Sequence, residues 1–253
     1  MEKGQDKKVQ GKIHLFFAVL AMFLLVVSLL LTSVQIAVYG DAKYRFYEKE
    51  YVKYNVTEPL GMELSDVMAV TDYMMEYLIG RKDKLSIETD VDGRRQDFFN
   101  EQDRIHMEDV RKLFLGGLKL RTALFFASLL LIGMLAVKKA DVPRLLPVAY
   151  KTAMAVLAAA FAFLGISFYI DFTKCFTIFH EIFFTNDLWI FDETTDYMIR
   201  MLPEGFFSDM AIRIAAIFAV SLALLGGAVW LVSTAAGRRP FGGIVRLRFK
   251  NQR

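Results

Sequence analysis

Two of the three histidines in this 253-residue chain lie where they could carry out acid–base chemistry. His106 and His180 each lie beside apolar and aromatic residues, whereas His14 stands at the start of a long apolar run and is interpreted as a boundary residue. Imidazole changes its charge near neutral pH, so a pair of imidazoles could supply a general base and a general acid. The alternative is that both histidines only pack against their neighbours.

Two other reactions that use histidine have weaker support. A catalytic zinc site needs at least three protein ligands, and the sequence contains neither H-E-x-x-H nor a cluster of Cys and His. Acidic residues near the histidines keep a zinc site open as an alternative: Asp103, Asp109, Glu181 and Asp187. A nucleophilic triad needs Ser, Cys or Thr beside a histidine, and no G-x-S-x-G motif is present. The residues therefore favour acid–base catalysis without a metal or cofactor.

The helix that must carry His106 is predicted from its flanking residues. Asn100 is a favourable N-cap, and Glu101 and Asp103 would lie in a first turn where acidic side chains suit the helix dipole. Apolar residues then recur on the same face as His106: Val110, Leu113, Phe114 and Gly117. We therefore expect His106 to face the same side as an apolar surface that continues into a membrane span.

His180 lies in a segment, residues 176–191, that is dense in phenylalanine and contains Trp189. A loop in water has no reason to be so aromatic, whereas aromatic side chains are enriched at membrane interfaces. We expect this segment to lie in the interface or to pack beneath the preceding loop.

Four stretches without any Asp, Glu, Lys or Arg connect these segments. Residues 13–40, 122–137, 152–170 and 214–237 give uncharged runs of 28, 16, 19 and 24 residues. Because a membrane span needs roughly 20 apolar residues, the chain is predicted to cross a membrane four times, which excludes soluble and disordered classes. The second run is short, but Lys119 and Arg121 before it can reach the interface. No ionisable residue lies deep in a run, which disfavours a transporter.

Charge is distributed unevenly between the segments that flank the spans. Residues 1–12, 138–151 and 238–253 together carry a net charge of +11, whereas residues 41–117 and 171–209 carry −11. Basic residues concentrate on the cytoplasmic side of membrane proteins, so both termini are predicted to be cytoplasmic and both acidic loops extracellular. The basic tail is then interpreted as a topology determinant on anionic lipid, with no nucleic-acid partner.

The predicted fold class is an all-α polytopic membrane protein with four transmembrane helices and a mainly helical extracellular cap. The cap is expected to contain a helix after Pro59 that stops at Gly80, and a short β-hairpin around Asp92-Gly93. In chain order, we expect a cytoplasmic N-terminus at 1–12, a first span at 13–40, the cap at 41–117, a second span at 118–137, a cytoplasmic loop at 138–151, a third span at 152–170, an extracellular aromatic loop at 171–211, a fourth span at 212–237 and a cytoplasmic basic tail at 238–253.

The segments around the two histidines also resemble a known family. The chain is similar to the bacterial lipoprotein intramolecular transacylases in Asn100-Glu-Gln-Asp-Arg-Ile-His106-Met-Glu-Asp-Val110 and Phe179-His180-Glu-Ile-Phe-Phe-Thr-Asn-Asp-Leu-Trp189, with Leu202-Pro203-Glu204 and Phe207 downstream. The order of spans and loops agrees as well. The resemblance implies an acyltransferase of the bacterial cell membrane. Such an enzyme moves the sn-2 acyl chain of a diacylglyceryl lipoprotein onto the α-amine of its N-terminal cysteine, which gives the lyso form.

The resemblance places the catalytic histidines at His106 and His180. The sequence does not determine which of them is the base and which is the acid, and we favour His180 as the base. The transfer passes through an eight-membered ring that closes poorly in a flexible chain, so an aromatic cleft would have to hold it folded. The expected cleft residues are Phe179, Phe183, Phe184 and Trp189, and the candidates to orient the histidines are Asp103, Asp109, Asn186 and Asp187.

The expected partners are diacylglyceryl-modified lipoproteins and membrane lipids, without a metal, cofactor or nucleic acid. The alternative function is a non-catalytic membrane sensor or assembly protein. Such a protein would use the aromatic outer loop to bind a lipid or a protein partner, and its histidines would tolerate replacement by Gln or Asn.

Overall fold

The computed structural model describes residues 2–237, so the predicted basic tail at 238–253 lies outside the described residues. Within 2–237 the chain forms nine α-helices and one two-stranded hairpin. In chain order these are α1 (Glu2–Tyr39), α2 (Arg45–Lys53), α3 (Thr57–Leu60), α4 (Leu64–Leu78), β1 (Glu88–Val91), β2 (Arg94–Asp97), α5 (Glu101–Val137), α6 (Val142–Ile170), α7 (Phe172–Phe183), α8 (Tyr197–Met201) and α9 (Glu204–Ala235).

Four of these helices, α1, α5, α6 and α9, are long and apolar enough to cross a membrane. Together with the hairpin and the mainly helical connecting regions, they confirm the predicted fold class. The helices extend beyond the uncharged runs, since α6 begins at Val142 and α9 at Glu204. Glu, Lys and Arg have good helix propensity, so charged flanks do not end a helix where its apolar run ends.

Contacts divide the chain into two units, of which the first contains the described residues 2–29, 123–161 and 219–237. In this unit α6 and α9 approach closely. The Tyr150 hydroxyl donates to the carbonyl oxygen of Leu222 at 3.0 Å, and a Cβ added at Gly226 would lie 2.9 Å from the Tyr150 oxygen. Gly226 therefore makes room for the tyrosine, in the manner of small residues at membrane helix contacts.

The second unit contains residues 30–122 and 162–218 and has an aromatic and methionine-rich core. The ring of Phe206 lies 5.1 Å from the ring of Tyr47 and 6.1 Å from the ring of Tyr51, measured between centroids. Tyr51 is buried, and its hydroxyl forms a 2.7 Å hydrogen bond with the hydroxyl of Thr71. This bond satisfies the polar end of a ring that otherwise contributes apolar surface.

The hairpin in the second unit follows the turn signal of the sequence. Asp92 and Gly93 have φ angles of 52° and 70°, which a two-residue type I′ turn requires, and Val91 pairs with Arg94 across it. The predicted strands on either side of Asp92-Gly93 are thus confirmed. The helix predicted after Pro59 is present as α4, which begins at Leu64. Pro59 itself lies in α3, which ends just before Gly61, where φ is +55° and an added Cβ would lie 2.7 Å from Asp92 Oδ1.

Two helix starts in the second unit position the histidines. At the start of α5, Asn100 Oδ1 accepts from the N–H of Asp103 at 2.9 Å, and the N–H of Asn100 donates to Asp103 Oδ2 at 3.0 Å. This reciprocal capping box confirms the predicted N-cap. At the start of α7, the Asp171 side chain accepts from the N–H of Lys174 at 2.8 Å, only one residue after α6 ends. His106 lies in the second turn of α5, and His180 lies in the last turns of α7.

Candidate active site

His180 lies on the buried face of α7 and is 7% exposed. Its Nδ1 atom is 2.7 Å from the carbonyl oxygen of Phe176, one helical turn earlier. A carbonyl oxygen can only accept, so Nδ1 carries the hydrogen and donates it. In the neutral ring the lone pair therefore belongs to Nε2, which makes Nε2 the basic atom.

Aromatic rings surround the imidazole of His180. Trp189 lies nearly parallel to it, at 4.9 Å between centroids and an interplanar angle of 29°, and Phe176 lies at 4.3 Å. Phe179 and Phe184 each lie at 5.5 Å. Burial among these rings lowers the pKa of His180 below its ordinary value, and the hydrogen bond to Phe176 offsets only part of that effect. His180 is therefore neutral at pH 7.

His106 lies on α5 and is 6% exposed. Its ring is flanked edge-on by Phe184, at 5.1 Å, and by Phe191, at 5.3 Å. Within residues 2–237, no hydrogen-bond partner reaches its buried Nδ1 atom. His106 thus occupies an aromatic enclosure in which its ring nitrogens are not committed to another side chain.

The two imidazoles lie side by side. Their centroids are 6.0 Å apart, their planes are inclined by 26°, and Phe184 contacts both. Catalytic hydrogen bonds span roughly 2.6–3.2 Å between heavy atoms, so both rings can reach atoms of one ester group. Residues that are far apart in the sequence therefore form one site with paired imidazoles and apolar walls.

The four residues expected to orient the histidines lie in different environments. Asp103 is fully buried, and one of its carboxylate oxygens accepts from the N–H of Asn100. Asp109 Oδ2 accepts from Asn186 Nδ2 at 3.1 Å, which ties α5 to the loop after α7. Asp187 is exposed. Within residues 2–237, none of these four side chains has a hydrogen bond to either imidazole.

The four expected cleft residues divide into two pairs. Phe184 is buried and contacts both imidazoles, and Trp189 covers one face of His180. Phe179 and Phe183 are 44% and 50% exposed and pack on each other at 4.7 Å. Of these two, only Phe179 also contacts an imidazole, along one edge. Of the four expected residues, Phe184 and Trp189 therefore line the enclosure, as Phe176 and Phe191 also do, and Phe179 lies at its margin.

Sequence reasoning did not single out Gln102 or Phe191. Gln102 Nε2 donates to the carbonyl oxygens of Leu188, at 3.1 Å, and Ile190, at 2.9 Å. Its position four residues before His106, on the same face of α5, was the available signal. Within residues 2–237, no group of three or more His, Cys, Asp or Glu side chains is arranged to hold a metal ion.

A comparison with protein families matches residues 19–207 to the model of the lipoprotein intramolecular transacylase Lit. The chain belongs to the lipoprotein intramolecular transacylase family. The match covers both histidines, nearly all of the second unit and part of the first. A comparison with curated proteins found no match.

Solved structures of a transacylase with this fold are similar along almost their whole length. The membrane integral lipoprotein intramolecular transacylase Lit from Bacillus cereus superposes with a TM-score of 0.72 and 21% identity, over 90% of this chain and 99% of that one. A histidine-to-arginine variant of the same enzyme gives a TM-score of 0.74 and 21% identity, over 93% and 98% of the two chains. A histidine-to-alanine variant gives a TM-score of 0.70 and 21% identity, over 92% of this chain and 99% of that one.

Family membership confirms the resemblance and the enzyme class, because the family is one of acyltransferases. The four apolar helices and the membrane-integral fold of the similar structures make the chain a multi-pass membrane protein. In this lipoprotein transacylase, the paired imidazoles of His106 and His180 form the candidate active site.

Proposed function

We propose that this transacylase moves the sn-2 acyl chain of a diacylglyceryl lipoprotein onto the α-amine of its N-terminal cysteine, with His106 and His180 as the catalytic residues. One observation carries this proposal: the family match coincides with two buried imidazoles 6.0 Å apart in an aromatic enclosure. Acyl transfer from an ester to an amine needs a proton moved and a negative oxygen stabilised, and two imidazoles can do both.

His180 acts as the base in this scheme. The substrate amine reacts in its neutral form: its nitrogen attacks the acyl carbonyl carbon, a carbon–nitrogen bond forms, and Nε2 of His180 takes the proton that the nitrogen releases. The bond between the acyl carbon and the sn-2 oxygen then breaks, and the proton passes from Nε2 to that oxygen. The products are an amide and a free sn-2 hydroxyl, so atoms and charge balance without water. The hydrogen bond from Nδ1 to Phe176 keeps Nε2 available for both steps.

His106 stabilises the negative charge. As the amine attacks, the carbonyl oxygen becomes an oxyanion, and a ring N–H of His106 donates a hydrogen bond to it. One such donor in a site from which water is excluded contributes about 3–4 kcal/mol to a barrier. The apolar walls around His106 make this contribution larger than it would be in water, because a low local dielectric strengthens the interaction.

The enclosure holds the substrate in its cyclic conformation. The attacking nitrogen and the acyl carbon belong to an eight-membered ring of substrate atoms, which a flexible chain rarely closes. Correct orientation contributes up to roughly 7–11 kcal/mol in favourable intramolecular reactions. Phe184 and Trp189 are the side chains that would hold the amine and the acyl ester of the substrate close together, since each ring contacts an imidazole.

We further propose that the site lies at the extracellular face of the bacterial cell membrane, with both termini cytoplasmic. The charge partition supports this orientation through the positive-inside rule. The outward face of α7 supports a position of the site at the membrane interface, because four apolar residues are exposed there: Ile178, Phe179, Ile182 and Phe183. This face follows directly on the exposed end of α6 at Ile170, so lipid at the interface would cover both. The glyceryl ester of a lipoprotein lies at the same level.

The test is mass spectrometry of lipoprotein N-termini from bacteria that lack another transacylase and express this chain. We expect lyso-form lipoprotein with the unchanged protein, and a loss of about 100-fold or more with His106→Ala or His180→Ala, as for removal of a general base or an oxyanion donor. His14→Ala is the matched control and should keep the activity. Unchanged lyso-form product in both variants, or in His106→Gln and His180→Gln, would overturn the assignment of these histidines as the catalytic residues, whereas no lyso-form product from the unchanged protein would favour the binding role.

A further inference from the structure

The side chain of Gln102 connects α5 to the loop that follows α7. Its Nε2 atom carries two hydrogens and donates one to the carbonyl oxygen of Leu188 and one to that of Ile190. These two residues flank Trp189. The contact joins positions 86 and 88 residues apart in the chain, so it is a tertiary tether rather than a local turn.

The tether fixes the backbone on both sides of Trp189. Within the loop, the N–H of Leu188 donates to Asn186 Oδ1 at 3.1 Å, and the N–H of Ile190 donates to the carbonyl oxygen of Asp187 at 3.1 Å. These bonds form a compact turn, but they leave the two flanking carbonyl groups to an outside donor. Gln102 provides that donor, so rotation of the backbone at Trp189 would break at least one of its bonds.

Trp189 in turn lies against His180. The indole is 4.9 Å from the imidazole and inclined by 29°, and it shields that face of the base from water. The second tether between α5 and the loop, from Asn186 to Asp109, lies beyond His106. Gln102 and Asp109 thus anchor the loop on either side of His106, with Trp189 held over the other histidine.

We propose that Gln102 is a positioning residue for acyl transfer, which holds the indole of Trp189 against His180 and so keeps the base dry and correctly oriented. This inference rests on the function proposed above. Gln102 has no described contact with either imidazole, so its effect passes through the backbone carbonyls of Leu188 and Ile190. The charged and titratable groups on the elements around His180 include Asp103, His106 and Asp109 on α5, Lys174, Cys175 and Glu181 on α7, Asp187 in the loop after α7, and Glu204 on α9.

The first measurement reports the stacking and needs no activity. The chain has two tryptophans, so Trp230→Phe leaves Trp189 as the only one. A protonated imidazole quenches a stacked indole, and the fluorescence of Trp189 should therefore fall as pH is lowered through the pKa of His180, with a midpoint below the ordinary value of about 6.5. His180→Asn should abolish this pH-dependent quenching, and its loss would assign the quenching to the imidazole of His180.

In the same background, Gln102→Ala removes the donor, and Gln102→Glu replaces it by a carboxylate of the same shape that cannot donate. We expect both variants to lose most of the quenching and to move the midpoint toward about 6.5. Glu101→Gln, at the neighbouring exposed position, is the control and should titrate like the unchanged protein. The acyl-transfer rate should fall by up to about 100-fold in both Gln102 variants, with the acid limb of its pH profile displaced in the same direction.

A Trp189 titration in Gln102→Ala and Gln102→Glu identical to that of the control overturns the inference, whatever happens to activity. Altered titration together with a displaced acid limb supports it. A third outcome is an altered titration in the Gln102 variants while the His180→Ala variant still makes lyso-form product. It would mean that the tether exists but that the proposed catalytic role of His180 is wrong. The fluorescence and the product analysis thus separate the two failures.

Discussion

At His180, the tautomer is selected by a backbone carbonyl oxygen of the same helix, which accepts a hydrogen bond from the ring. The carbonyl oxygen of Phe176 would normally accept from the backbone N–H of residue 180, and it also lies 2.7 Å from Nδ1 of that residue. No carboxylate is needed to hold the imidazole, which differs from the triad arrangement in which an acid orients the base. The geometry of the base therefore depends on α7 remaining helical as far as its last turn.

The burial of His180 leads to a prediction about pH. Phe184→Ala would admit water beside both imidazoles, because this ring contacts each of them. Desolvation is what lowers the pKa of His180, so hydration should raise that pKa toward about 6.5. A higher pKa protonates the base at a higher pH, and the acid limb of the rate profile should move upward. The measurement is the acyl-transfer rate against pH, in detergent or in vesicles, for both proteins.

Ile178→Ala is the control for this change. It removes a similar apolar side chain from the exposed face of α7 without touching a histidine. Its acid limb should coincide with that of the unchanged protein, and the substrate amine contributes equally to all three profiles. An acid limb in Phe184→Ala that stays in place would show that the enclosure does not set the protonation of the base.

At the scale of elements, the capping box of α5 determines where the helix with His106 begins. Asn100 provides the cap acceptor for Asp103, and its Nδ2 donates to Asp196 Oδ1 at 2.5 Å. Asn100→Ala should lower the free energy of unfolding by about 1 kcal/mol, the usual contribution of an N-cap. Asn100→Ser keeps the cap acceptor but loses the bond to Asp196, so it should be less destabilising. Thermal unfolding in detergent would compare the two, and equal losses would contradict a capping contribution.

The elements themselves could largely be predicted, because their signals are local. Asn100 and Asp103 mark a helix start within four residues, and Asp92-Gly93 marks a hairpin by its turn geometry alone. The end of α3 before Gly61 was not predicted, since the left-handed conformation of this glycine and its closeness to Asp92 do not appear in apolar periodicity. The spacing of apolar residues indicates which face of a helix is buried, and one glycine between two helices barely changes that spacing.

The site was predictable only in part, because its contacts join distant segments. That His106 and His180 face apolar surface follows from sequence neighbours, and the structure brings the two rings together. Gln102 and Asp109 bond to a loop that lies more than 70 residues away, and nothing in a single sequence specifies such a pair. The tautomer of His180 depends on one interatomic distance and could not be inferred at all from composition or spacing.

At the scale of the whole molecule, the charge partition predicts which loops are accessible from outside the cell. In a Cys175→Ser background, Asp83→Cys would place a single thiol on the loop before the hairpin, and Lys138→Cys would place one at the end of α5. A membrane-impermeant thiol reagent should label the first in intact cells and the second only after permeabilisation. Labelling of both, or of Lys138→Cys alone, would overturn the proposed orientation.

The same background tests the depth of α7. Glu181→Cys and Ile182→Cys are adjacent exposed positions, but the second lies on the apolar face. If that face is covered by lipid, a nitroxide at position 182 should be relaxed more by oxygen and less by a water-soluble nickel complex than one at position 181. Equal relaxation at both positions would mean that α7 lies in water.

The aromatic enclosure of the two histidines has a consequence for how the enzyme completes its cycle. In the proposed reaction, the proton that leaves the amine is the one that reaches the hydroxyl, so the base ends each turnover in the state in which it began. Once the neutral amine is bound, a site whose imidazoles are only 6% and 7% exposed therefore needs neither a proton wire nor a channel to bulk water during acyl transfer. His180 regains its starting protonation state within the site. Acyl transfer can therefore proceed in contact with lipid, where hydrolysis of the same ester would be slow for lack of water.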